Sequence, residues 1–110
     1  MNIFVLSLCP FICAKQHNDK HCVKMILEYA QMLCTAHHLC NTHPSDKLYK
    51  IVHKNHPCTK WVRETKSNYI WLYVLFRELC KEYSYRYNRV HVCESRLLNV
   101  LNIMPDLIPE

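Results

Sequence analysis

The stretch Asn18-Asp19-Lys20-His21-Cys22-Val23-Lys24-Met25-Ile26-Leu27-Glu28-Tyr29-Ala30-Gln31-Met32-Leu33 leaves the backbone little choice. Asn18 and Asp19 are N-cap residue types, because a short side-chain oxygen can accept a hydrogen bond from the free amides of a first helical turn. Behind them Val23, Ile26, Leu27, Ala30 and Leu33 recur three or four positions apart, the spacing that puts side chains on one face of a helix. The pattern predicts a helix over residues 19–40 with those five residues inward. On the same helix His21, Lys24 and Glu28 stack on one side, where an acid, a base and a cation can converge on one ligand.

The chain has 110 residues, half of them apolar, which suits one domain with its own core. It contains no glycine, so tight turns fall to Asn, Asp, Pro and Ser, and glycine-rich phosphate loops are excluded. Nothing else in the chain calls for a cofactor. A net charge of +5 points to an anionic partner, nucleic acid being the commonest, although solubility alone also explains such an excess.

Eight cysteines and eight histidines are both high counts for this length. No C-x-x-C pair marks a zinc ribbon, and Cys22, Cys34 and Cys80 stand where a helix wants an apolar residue. The cysteines are therefore read as reduced, structural thiols rather than as a disulfide framework. Cys9, Cys13, His17 and His21 keep a four-residue spacing, but four ligands strung along roughly 18 Å of helix cannot surround one ion. The set Cys34, His37, His38 and Cys40 fails likewise, since His37 and His38 face different directions. No metal site is expected.

Residues 3–14 are almost wholly apolar. A cleaved secretory signal is one reading. No Lys or Arg precedes the run, however, Pro10 interrupts it, and it is far shorter than the ~20 residues needed to span a membrane. The run is expected to form a buried strand or extended segment at Ile3–Leu8, a turn at Pro10 and a short helix. Residues 41–47 read as a loop. The polar cluster His53-Lys54-Asn55-His56 lies just ahead of a helix starting near Pro57, and polar residues on a loop held between helices are good functional candidates. A second long helix is predicted over Asn68–Arg86, capped by Ser67, with Ile70, Trp71, Val74, Leu75, Leu79 and Tyr83 as its stripe. Tyr83 to Arg89 interleaves aromatic and basic residues, which suits bases and phosphates as well as the amphipathic end of a helix. A last helix is expected at residues 92–101. Together these give a mainly α, compact helical bundle, residues 1–104, with residues 105–110 as a tail.

In combination, Asp19-Lys20-His21, Glu28, Asn55-His56-Pro57 with Trp61, and the aromatic helix ending in Glu82-Tyr83 and Arg86 resemble the pyrimidine-dimer DNA glycosylase superfamily. That superfamily includes phage endonuclease V and short proteins of phages and large DNA viruses. The resemblance spans roughly residues 1–90. It implies a helical protein acting on DNA, inside a cell, with the amino-terminal α-amine as nucleophile on a sugar carbon and a helix glutamate assisting. It would put Glu28 in the glutamate's role and His21 in that of a histidine contacting DNA, with His56 as a further catalytic candidate. Lys20, Lys24, His53, Lys54, Asn55, Arg63 and Arg86 are the candidate DNA contacts. An α-amine with a pKa near about 8 is partly free at neutral pH, and a carboxylate can stabilise the cationic transition state or move protons. Asn2 after Met1 is a poor context for methionine removal, and Lys20 or Lys24 are alternative amines. The other readings are a non-catalytic nucleic-acid-binding protein on the same fold and a Cys/His metal-binding interaction module.

Overall fold

A computed structural model describes residues 2–110 and resolves them into five helices: α1 (Pro10–Gln16), α2 (Asp19–Cys40), α3 (Pro57–Val62), α4 (Lys66–Tyr87) and α5 (Val92–Leu101). Their ends are set by local chemistry. Asn18 Oδ1 accepts from the His21 amide at 2.8 Å and starts α2 where the cap pattern predicts it. α4 begins earlier than expected, because Thr65 rather than Ser67 supplies the cap: Thr65 Oγ1 accepts from the Asn68 amide at 3.1 Å. At the other end of α4 the chain must turn left-handed. In the absence of glycine Asn88 does so, at φ 54°, and its amide closes on the Ser84 carbonyl at 2.8 Å.

The two long helices α2 and α4 pack on each other and carry most of the core; α1 lies along α4, while α3 and α5 pack on both. The inward face of α2 differs from the predicted stripe. Ile26, Ala30 and Leu33 are buried as expected, but Val23 and Leu27 are each 43% exposed, and Cys22, Met25, Tyr29 and Met32 take the inner positions. On α4 Leu75, Leu79 and Tyr83 point inward with Tyr69, Leu72, Phe76 and Cys80, while Ile70 is outside. In α2 a cysteine, a tyrosine and two methionines fill core positions, so a stripe drawn through the branched aliphatic residues and alanine alone is turned away from the true one. All eight cysteines are free, and Cys13, Cys22, Cys34, Cys80 and Cys93 are buried.

The apolar amino-terminal run is not a buried strand. Among the described residues there is no strand for it to pair with, and it crosses the surface as extended chain with Val5, Leu6 and Leu8 exposed. Only Ile3 and Phe4 pack against the core, and the Leu8 carbonyl accepts from the Trp71 indole N–H at 2.9 Å. Residues 105–110 are held along their length: the Leu107 amide donates to the Cys40 carbonyl, the Lys66 amide donates to the Pro109 carbonyl (both 2.8 Å), and Ile108 is buried. No described helix is long and apolar enough to cross a membrane.

Candidate functional site

The polar side of α2 forms as its spacing predicts. Lys24 Nζ lies 3.9 Å from Glu28 Oε2, one helical turn apart; the lysine side chain is 66% exposed while the glutamate is 16% exposed. Glu28 thus stands at the edge of the core, with its carboxylate beside an exposed cation rather than fully solvated. His21, two turns before Glu28, is half-buried. Its ring stacks face to face on Phe4, with centroids 4.2 Å apart and planes 16° apart. The extended amino-terminal segment is therefore laid across the same helix face that carries Glu28.

The segment continues toward α3. Asn2 Oδ1 accepts from the Cys58 thiol at 3.6 Å, so residue 2 sits next to the turn formed by Asn55-His56-Pro57. That turn is built by its own residues. The His56 amide donates to the His53 carbonyl at 2.9 Å, and His53 adopts φ 47°, a left-handed conformation for which a side chain carries a penalty. His56 Nδ1 accepts from the Cys58 amide at 3.1 Å and caps α3, which in the neutral ring leaves the proton on Nε2. Arg63 ties the turn to α3: its Nη2 donates to the Lys54 carbonyl at 2.6 Å and its Nη1 to the Thr59 carbonyl at 3.4 Å. Lys54 and Asn55 in this turn are exposed, as is Lys20 in the first turn of α2.

Arg86 is placed elsewhere. At 17% side-chain exposure it bridges Asp19 and Glu82 (3.2 Å each) and donates to the Lys15 carbonyl, pinning the end of α4 to the α1–α2 corner. Burial works against its charge, but the Cys22, Glu82 and Asp19 side chains around it raise its pKa overall. Among the described residues no three metal-capable side chains gather: His17 faces Tyr29, His37 faces Tyr69 and His38 bonds to the Tyr49 carbonyl.

A helical frame, a half-buried carboxylate beside a lysine on α2, and an amino-terminal segment running between that helix and a His-Pro turn are thus gathered on one side. The family model of the pyrimidine dimer DNA glycosylases matches residues 1–95. The chain belongs to that family. Membership makes DNA the partner and glycosylase-like action on it the functional class. No curated protein and no solved structure matches the chain significantly.

Met1 lies outside the described residues, and with it the expectation about its removal. The sequence reading missed the surroundings of Phe4, that is Cys13, His17 and Tyr29. Contacts across sequence separations of 9, 12 and 25 residues leave no local periodicity to read.

Proposed function

We propose that the chain is a DNA glycosylase with lyase character, acting on the N-glycosidic bond of damaged or modified nucleotides. The observation that carries this reading is the path of residues 2–8: Phe4 lies on the Glu28 face of α2 and Asn2 on the start of α3. The amino end of the chain and the one half-buried carboxylate of α2 thereby belong to one surface. In this reading the α-amine attacks the sugar carbon, the base departs with the bonding pair and a proton, and the sugar opens to an imine. Glu28, held near Lys24, stabilises the cationic transition state and moves the proton. His56 offers its Nε2–H, and Lys20, Lys24, His53, Lys54, Asn55 and Arg63 supply the phosphate and sugar contacts that set register on DNA.

Borohydride reduction in the presence of duplex DNA carrying an abasic site should leave a covalent protein–DNA adduct through the α-amine, identified by peptide mass. Glu28→Gln should lose the adduct while binding the same duplex about as tightly. Binding without any adduct would remove the amine mechanism and favour a DNA-binding protein. An adduct on Lys24 would move the nucleophile onto α2.

A further inference from the structure

The backbone of Phe4 is enclosed by a closed ring of hydrogen bonds that the catalytic reading does not use. The Phe4 amide donates to Tyr29 Oη at 3.2 Å. Tyr29 Oη–H in turn donates to His17 Nε2 at 2.7 Å. His17 Nδ1–H donates to the Cys13 carbonyl at 2.8 Å, and the Cys13 thiol donates to the Phe4 carbonyl at 3.1 Å, which closes the circuit. Each of the four residues both donates and accepts, and each direction implies the next: because His17 Nδ1 gives its proton to a carbonyl, Nε2 must accept, so Tyr29 must be the donor there. Cys13, His17 and Tyr29 are all essentially inaccessible to solvent. The Phe4 ring adds a stacked contact to His21 and an edge contact to His17, whose centroid lies 6.2 Å away.

Such a ring is far more than an extended segment needs merely to stay folded. The side chains of residues 5, 6 and 8 of the same segment are exposed, whereas Phe4 is held through its amide, its carbonyl and its ring. Burial also holds the His17 ring below its ordinary titration range, against the opposing Cys13 carbonyl, which keeps Nε2 an acceptor; the neighbouring His21 and Arg86 charges add to that.

We infer that the Phe4–Tyr29–His17–Cys13 ring, with the His21 stack, is a clamp that holds the extended segment at Phe4 across α2, so that Cys13, His17 and Tyr29 are positioning residues for the reaction and His21 acts through Phe4. The inference rests on the amine mechanism proposed above. It accounts for the use of a chain terminus as nucleophile: a terminus is the freest part of a polypeptide, and reaction needs the attacking atom held near its target geometry.

The test is the single-turnover rate of borohydride trapping on abasic duplex, measured beside affinity for the same duplex. Tyr29→Phe keeps the ring volume but removes the hydroxyl that bonds Phe4 and His17. It should slow trapping about tenfold or more while changing affinity less than about twofold. Cys13→Ala opens the circuit at a smaller residue and should slow it in the same direction, which keeps the inference testable if Tyr29→Phe folds poorly. His21→Ala removes the ring stacked on Phe4 and should slow trapping in the same direction as Tyr29→Phe. A wild-type rate in both ring-opening variants overturns the clamp alone and leaves the amine mechanism standing. No adduct from the wild-type chain removes the mechanism, and the positioning role with it.

Discussion

Histidine carries an unusual structural load in this chain. His56 and His91 each stand two residues before a cysteine and each accept, through Nδ1, the amide of that cysteine, at 3.1 and 3.0 Å. The pair His-x-Cys thus starts α3 and α5 in the same way, taking the place that Asn18 and Thr65 fill on the long helices. The ring must be unprotonated at Nδ1 to do this, and burial lowers the pKa of His91, where an edge contact with Tyr83 covers the ring. His91→Ala should lower stability by about 1 kcal/mol, and His91→Ser should recover most of that, as side-chain caps generally do. Urea unfolding at neutral pH measures both. Equal stability of His91→Ala and wild type would show that the cap bond contributes nothing net. Nothing at single-sequence level marks these histidines as caps, because their spacing to the cysteine looks like metal-ligand chemistry before it looks like capping.

At the level of elements, the three short helices and both long ones were readable, and for identifiable reasons. α2 runs from Asp19 to Cys40 as its cap and period require, and α5 spans Val92–Leu101 as predicted. Boundaries were less readable: a threonine two residues upstream of Ser67 won the cap of α4. Faces were less readable still, since Cys22, Met25 and Met32 fill the core beside α4 while Val23 and Leu27 look outward. Apolar character tells which residues tolerate burial, and neighbouring elements decide which are buried. The same limit explains the amino-terminal run, whose composition fits a strand but which has no partner strand among the described residues to satisfy its backbone. The polar side of α2 was readable because Lys24 and Glu28 depend on helical spacing alone, whereas the ring around Phe4 depends on tertiary folding. Ile26→Ala, at a fully buried position, should therefore cost about 2–5 kcal/mol, and Leu27→Ala, next to it but 43% exposed, less than about 1. Comparable losses at the two sites would contradict the orientation of α2.

Across the whole molecule, three elements meet at one buried histidine. His37, near the end of α2, is 3% exposed; its Nε2–H donates to Tyr69 Oη of α4 at 2.7 Å, and the Tyr69 hydroxyl donates to the Leu101 carbonyl of α5, also at 2.7 Å. Asn41 Nδ2 donates to the remaining ring nitrogen at 3.2 Å, so both nitrogens are engaged in the neutral form. Burial drives the pKa of His37 down to about 4; the adjacent His38 adds to this and the Ile103 carbonyl opposes it. The folded value thus lies below the unfolded one of 6.5, and between the two the unfolded chain binds more protons. Stability from His37 is complete above about pH 6.5 and is lost as pH falls, by about 1.4 kcal/mol per pH unit and roughly 3 kcal/mol by pH 4. His17 and His91 shift in the same direction, so wild-type acid sensitivity alone does not isolate His37. The difference does. His37→Gln keeps a polar side chain beside Tyr69 and cannot titrate; its stability gap from wild type should narrow by roughly 3 kcal/mol between pH 7 and pH 4 in urea unfolding. A gap that stays constant over that range would mean that the His37 network accepts a proton without loss, and that the junction of α2, α4 and α5 is held by packing alone.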